Sequence, residues 1–142
     1  MSINPIKVVL DTNIFISALI SGKNCLEILK LWKNNIFELY TSKEIIQEIE
    51  SVGSRPNFKK YFSTQQLNLL ISLIWQKSTL TYPSNKIPKK YLSKDTSDNI
   101  FVSCVLQSRA NFFVTGNTKH FTQLKTITKL TNPKQFLESI KQ

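Results

Sequence analysis

The apolar residues fall into two kinds of run that alternate along the whole chain. Short runs rich in β-branched and aromatic residues predict strands, and runs with apolar residues three and four positions apart predict helices. The predicted strands cover residues 6–10, 37–41, 79–82, 112–115 and 127–130. The predicted helices cover residues 12–20, 24–34, 43–52, 63–75, 96–110 and 133–140, with Asn24 and Ser42 capping the second and the third.

This alternation of strands and helices indicates an α/β fold. We expect a three-layer α/β/α sandwich around a short, mostly parallel sheet, with residues 79–82 as an edge strand. A length of 142 residues is typical of one domain. We therefore predict a single domain over residues 1–142.

Positive charge dominates the composition. Lysine and arginine number 19 against 9 aspartates and glutamates, which gives a formal net charge of +10. Such a surface attracts polyanions. The predicted loop 84–94 holds a lysine cluster, which is a candidate for contacting a nucleic-acid backbone and has a solvated face as its alternative interpretation: Lys86, Lys89, Lys90 and Lys94.

No segment predicts export or a membrane span. The N-terminus lacks a basic region followed by an apolar stretch, and the longest apolar run is far shorter than the roughly 20 residues that a membrane-spanning helix needs. Two cysteines, Cys25 and Cys104, are too few for a disulfide framework and are interpreted as small buried residues. We expect a cytoplasmic protein with reduced thiols and no membrane contact.

Polar clusters stand at or just beyond predicted strand ends and at one helix start. In an open parallel sheet the ligand crevice lies outside the carboxyl ends of the strands, so Asp11, Asp98 and Asn117 should meet there. Converging carboxylates repel one another unless a cation lies between them. Oxygen ligands of this kind suit Mg²⁺ or Mn²⁺.

Four motifs, in their order and spacing, resemble the PIN-domain nucleases. They are Val9-Leu10-Asp11-Thr12-Asn13-Ile14, then Ser42-x-x-Ile45-x-x-Glu48-Ile49, then Asp95-x-x-Asp98-Asn99-x-Phe101, then Val114-Thr115-Gly116-Asn117. More narrowly, the chain is similar to the VapC-like toxin components of prokaryotic toxin-antitoxin pairs. The resemblance covers nearly the whole chain and implies an α/β/α sandwich that cleaves RNA with a divalent metal.

The resemblance assigns metal-binding and catalytic roles to Asp11, Glu48 and Asp98. On a helical wheel at about 100° per residue, Glu48 lies closer to the apolar Ile45 than other glutamates of that helix do, a weak preference that the resemblance decides. Asn117 stands where many members have a fourth aspartate. Its amide oxygen would still ligate a metal or orient a water.

Other polar residues of the motifs have both a supporting and a plain structural interpretation. Asp95 either supports the metal site or caps the following helix, as Thr96 also would. Thr12 and Asn13 either shape the site or cap the first helix, and these roles are compatible. Thr115 is either a strand-end hydroxyl or a hydrogen-bond partner of a metal-ligating carboxylate.

Residues outside the motifs are given structural or surface roles. His120, the single histidine, is expected to be structural or exposed. Trp75 is expected in the core, at the end of an apolar helical stripe. The surplus Leu69 and Leu73 on the flank of that stripe are candidates for a homodimer or antitoxin surface.

The leading hypothesis is an endoribonuclease that uses Mg²⁺ or Mn²⁺ at Asp11, Glu48, Asp98 and Asn117 and acts as a toxin with a protein antitoxin. The alternative is a non-catalytic nucleic-acid-binding PIN module, motivated by the amide at position 117. A third class, phosphoryl transfer through an Asp11 nucleophile, is disfavoured because Asn13 replaces the second aspartate that such enzymes of the haloacid dehalogenase type need.

Overall fold

A computed structural model describes residues 5–84 and 86–141. Residues 1–4, part of the N-terminus that was searched for an export signal, residue 85 of the basic loop and residue 142 lie outside the description. The described strands form one five-stranded parallel sheet. In spatial order they are β3 (Ser78–Thr81), β2 (Glu38–Ser42), β1 (Lys7–Leu10), β4 (Phe112–Val114) and β5 (Lys129–Thr131).

Helices flank this sheet and give the three layers that the sequence predicts. They are α1 (Thr12–Leu19), α2 (Lys23–Lys33), α3 (Lys43–Gly53), α4 (Thr64–Gln76), α5 (Asn99–Ser108) and α6 (Pro133–Ile140). Short 3₁₀ helices cover Pro56–Phe58, Lys89–Tyr91, Thr96–Asp98 and Thr118–Leu124. The α/β/α fold class is therefore confirmed, and β3 lies at the sheet edge as expected.

The central position of β1 explains its composition. Val8, Val9 and Leu10 are almost completely buried, because helices cover both faces of a parallel sheet. The chain places β2 and β3 on one side of β1 and β4 and β5 on the other. The strand order thus reverses between β1 and β4, and ligands of open α/β sheets bind outside the carboxyl ends of strands at such a point.

Side-chain caps set the start of several helices. Ser42 accepts a hydrogen bond from the backbone N–H of Ile45 and starts α3, as predicted. Ser63 starts α4 with a reciprocal capping box. The prediction that Asn24 caps α2 is wrong, because the N-cap is Gly22. The backbone turns from α1 so closely that a Cβ at Gly22 would lie 3.1 Å from the carbonyl oxygen of Ser17.

Two further expectations require correction. Trp75 is 44% exposed and is not a core residue, because the buried stripe of α4 ends at Ile74. The predicted last strand is shifted by one to two residues, to Lys129–Thr131, because an unpredicted 3₁₀ helix occupies Thr118–Leu124. The flanking Leu69 is 72% exposed.

Both cysteines are free and buried, and burial raises the pKa of Cys104 to about 12. They are packing residues, as the sequence predicts. Among the described residues, no helix has the length and apolarity to cross a bilayer.

Candidate functional site

Asp11 and Thr115 lie side by side at the reversal point of the sheet. Leu10 pairs with Val114, so the next residue of each strand continues past the sheet edge at the same level. The Thr115 hydroxyl donates to Asp11 Oδ2 at 2.7 Å and accepts from the backbone N–H of Asn117 at 3.0 Å. Asp11 is 8% exposed and Thr115 is completely buried. Strand pairing therefore fixes the orientation of this carboxylate.

Glu48 reaches the same place from α3. Its Oε1 accepts a short hydrogen bond from the hydroxyl of Thr12, the first residue of α1. Glu48 is half-buried, whereas Glu50, two residues further along, points to solvent. The apolar stripe of α3 packs inward and leaves Glu48 at its border with the crevice.

Asp98 is the third acid, at the junction between the 3₁₀ helix Thr96–Asp98 and α5. Its side chain is 17% exposed. Oδ2 accepts from the hydroxyl of Ser93 at 3.4 Å and lies 3.4 Å from His120 Nδ1. Asp98 therefore has polar neighbours from two separate segments of the chain.

These three acids line one pocket of about 220 Å³. The pocket brings together most of the residues predicted for the site; Thr115 supports Asp11 from behind. None of the four predicted basic residues Lys86, Lys89, Lys90 and Lys94 lines this pocket. The predicted residues that line it are Asp11, Thr12, Asn13, Glu48, Asp95, Asp98 and Asn117.

The acids influence one another electrostatically. Burial raises the pKa of Asp11 above its ordinary value, the Thr115 hydrogen bond opposes this, and the charge of Asp98 adds to the rise. Burial likewise raises the pKa of Glu48; the Thr12 hydrogen bond lowers it, while Asp11 and Asp98 raise it further. Burial and mutual repulsion disfavour the ionised forms of these acids, so the pocket favours a bound cation.

Asp95 differs from the other acids because it is exposed. Its side chain accepts from the Ser97 backbone N–H at 3.0 Å and from the Ser97 hydroxyl at 2.7 Å. These two hydrogen bonds hold the pKa of Asp95 below its ordinary value. The geometry is that of an N-cap, which is the plain structural interpretation of this residue, at the rim of the pocket.

The donor chemistry fits a hard divalent cation, but the side chains are not drawn together around one. Carboxylate and amide oxygens from Asp11, Glu48, Asp98 and Asn117 face a common pocket. Within residues 5–84 and 86–141, no three acidic, histidine or cysteine side chains form a ready metal cluster. Binding of one ion by three of these acids would require their side chains to move closer together.

Sequence reasoning missed two side chains of the pocket lining that can carry positive charge. His120 was expected to be structural or exposed; it is 52% exposed and at the same time adjoins Asp98. Arg55 lies at the rim, and its charge lowers the pKa of Glu48. No helical pattern extends to Arg55, because α3 ends at Gly53 and the backbone of Arg55 is extended. No signal placed His120 either, because its 3₁₀ helix was not predicted.

Acids gathered at the reversal point of an all-parallel sheet define an α/β protein with an acidic crevice. The model of the PIN domain family matches residues 7–119. The chain therefore belongs to the PIN domain family, the nuclease family that its motifs resemble.

Two individual proteins are similar to the chain. The uncharacterized protein MJ1680 of Methanocaldococcus jannaschii is 29% identical, over 94% of this chain and 90% of that protein. The crystal structure of VapBC2 from Rickettsia felis, bound to a DNA fragment from their promoter, contains a chain with a TM-score of 0.58 and 20% identity, over 89% of this chain and 98% of that chain. This second likeness establishes a shared fold.

Proposed function

We propose that this protein is an endoribonuclease that requires Mg²⁺ or Mn²⁺. The observation that supports it best is that Asp11, Glu48 and Asp98, from three different elements, line one small pocket at the carboxyl edge of the sheet. Such an arrangement is costly for folding because of burial and like charge, so it points to a role in function.

The proposed division of roles follows from the contacts. Asp11, Glu48 and Asp98, together with Asn117, would hold the ion, which would supply Lewis-acid stabilisation of the phosphate and an activated water. Thr115 and Thr12 keep the carboxylates of Asp11 and Glu48 in fixed orientations through their hydroxyls. No side-chain nucleophile is needed.

The surface charge supports a nucleic-acid substrate. In the described part of the chain, the single contact within 4 Å between a basic and an acidic side chain is that of His120 with Asp98. The described lysines and arginines thus have no acidic partner within 4 Å that would compete with a phosphate group, and Arg55 stands at the rim of the pocket itself. The choice of RNA over DNA follows from the family resemblance.

The test is cleavage of labelled RNA by the purified protein with Mg²⁺, with Mn²⁺ and with EDTA. We expect Glu48→Gln and Asp98→Asn to lower the rate at least ~100-fold, because each removes a ligand of the ion. Glu50→Gln is the matched control, since it removes an exposed charge from the same helix and should leave the rate unchanged. Equal cleavage in EDTA would overturn the proposal.

A non-catalytic nucleic-acid-binding module is the second candidate. The amide at Asn117 and the lack of a ready three-ligand cluster in the described residues favour it. Calorimetric titration with Mn²⁺ separates the two functions. No binding at millimolar metal, together with retained RNA binding, would select the second candidate.

We further propose that the protein is the toxin of a toxin-antitoxin pair, occluded by a protein antitoxin. The motifs support this, and so does the shared fold with a chain of the VapBC2 structure. Expression of the chain should arrest bacterial growth, and the Asp98→Asn variant at the same protein level should not. Arrest by both proteins alike would contradict a toxic activity at this site.

A further inference from the structure

A second cleft adjoins the carboxylate pocket. It is formed by residues 92–95, which precede the Asp98 turn, and by residues 119–123 of the 3₁₀ helix Thr118–Leu124. Its volume is about 450 Å³, against about 220 Å³ for the carboxylate pocket. Asp95, Asp98 and His120 line both, so the two spaces lie on either side of the same three side chains.

The two spaces differ in volume enough to hold different parts of an RNA substrate. Pockets that bury small organic ligands usually measure about 300–1,000 Å³, so the carboxylate pocket has room for a reacting phosphate and an ion, but not for a nucleoside as well. The adjoining cleft does have that room. Two other clefts of similar volume, beside β5 and α6 and around residues 109–111, have none of the pocket acids in their walls.

The walls of the cleft match the parts of a nucleotide. Lys94 and Lys119 are exposed and make no ion pair within 4 Å in the part of the chain that the structure describes. Leu92, 44% exposed, offers an apolar surface. Gln123 is held by a hydrogen bond from its Nε2 to the carbonyl of Tyr91 at 3.3 Å, which ties the two walls together.

We propose that this cleft is a nucleotide subsite for single-stranded RNA, next to the bond that is cleaved. Lys94 and Lys119 meet phosphates of the strand, and the base of the adjoining nucleotide lies against Leu92. The bases of a single strand are unstacked and can enter such a cleft, whereas the bases of a duplex cannot. The inference rests on the proposed nuclease function, because that function supplies the substrate.

The test measures binding rather than turnover. A fluorescently labelled single-stranded RNA is titrated in EDTA with the protein, and anisotropy gives the Kd at several salt concentrations. The cleft variant is Lys94→Ala/Lys119→Ala. The control is Lys23→Ala/Lys134→Ala, which also removes two charges from exposed lysines, at the starts of α2 and α6.

Each phosphate contact on single strands contributes a slope of about −0.7 to log K against log salt. The slope of the cleft variant should therefore be shallower by about 1.4, and its affinity should be about 20-fold lower at ~0.1 M salt. The control variant should change neither the slope nor the affinity by a comparable amount. Equal losses in both variants would show general attraction to a basic surface and overturn the subsite.

A second variant tests the apolar part of the cleft. Leu92→Ser should weaken RNA binding by about fivefold without changing the salt slope, because it removes contact area and no charge. Unchanged affinity would overturn the placement of the base. Circular dichroism of each variant checks that the fold is retained.

These outcomes are distinguishable from failure of the proposed function. If no RNA is cleaved with any metal but the cleft variant alone loses affinity and slope, the subsite stands and the nuclease is overturned. If RNA is cleaved but the cleft variant binds like the control variant, the nuclease stands and the subsite is overturned.

Discussion

At the scale of single residues, the defining contact is the hydroxyl of Thr115 on the buried carboxylate of Asp11. It is a hydrogen bond to a charged group at 2.7 Å, and such bonds contribute about 1.5–3 kcal/mol, against about 1 kcal/mol for neutral pairs. The same hydroxyl accepts from the backbone of Asn117. Thr115 thus links two residues of the candidate site.

Thr115→Val should destabilise the protein by about 2–3 kcal/mol at neutral pH, because it leaves a buried carboxylate without its donor. Thr128→Val is the matched control: its hydroxyl donates at 2.8 Å to the neutral carbonyl of Ala110, so about 1 kcal/mol is expected. Urea unfolding measures both. The difference should narrow in acid, once Asp11 is protonated; a constant difference would mean that the charge of Asp11 has no part in it.

The raised pKa of Asp11 makes a prediction about pH. Its folded pKa exceeds the unfolded value of 3.8, so the folded state binds the proton more tightly, and this group's contribution to stability falls as pH rises through that window. In EDTA, Asp11→Asn should therefore be more stable than the wild type at neutral pH, by about 1 kcal/mol or about 3 °C in Tm.

The advantage of Asp11→Asn should vanish below about pH 3.8, where both states of the wild type are protonated. Thermal unfolding across this range measures it. The amide introduced by this substitution retains an oxygen that accepts from Thr115, so that hydrogen bond is conserved. A variant that is less stable at neutral pH would contradict a charge penalty at this position.

At the scale of elements, α3 shows how a cap positions a functional residue. Ser42 is 4% exposed, ends β2 and caps α3, which places Glu48 less than two turns later. The cap of α4, Ser63, is exposed, and α4 contains no candidate site residue. The two caps therefore differ in burial and in what they position.

Ser42→Ala should destabilise by about 2 kcal/mol, since no water replaces the lost acceptor, whereas Ser63→Ala should cost about 0.5–1 kcal/mol. Ser42→Ala should also slow RNA cleavage by shifting the start of α3, and Ser63→Ala should not. Denaturant unfolding and cleavage assays at a temperature far below either Tm test this. Equal rates in both variants would show that Glu48 is held independently of its cap.

The elements also show what could be predicted from the sequence. Short runs rich in β-branched and aromatic residues predict strands, so β1, β2 and β4 were found within one residue. Strand order and register are non-local, so no pattern placed Thr115 beside Asp11 at hydrogen-bond distance. The 3₁₀ helix Thr118–Leu124 lacks a 3.6-residue period; it was missed, and the proximity of His120 to Asp98 with it.

At the scale of the whole molecule, negative charge is distributed unevenly. Four of the nine acids lie in or at the rim of one pocket, while the chain as a whole has a net charge of +10. At long range the net positive charge therefore attracts a polyanion, although the acidic pocket itself repels one. A divalent ion, as proposed for this pocket, would resolve this conflict, because it would neutralise the acids and offer a binding point for phosphate.

Neutralisation of the pocket by an ion should stabilise the folded state. An ion that binds only the folded state stabilises it by about 2.7 kcal/mol when present at about 100 times its Kd, which corresponds to about 8 °C in Tm for a chain of this length. Mn²⁺ should raise the Tm of the wild type and of Glu50→Gln, and should leave Glu48→Gln and Asp98→Asn unchanged. A rise of equal size in all four proteins would place the ion elsewhere on the molecule. No rise in any of them would mean that the acids of the pocket repel one another without an ion between them. The basic surface alone would then account for RNA binding.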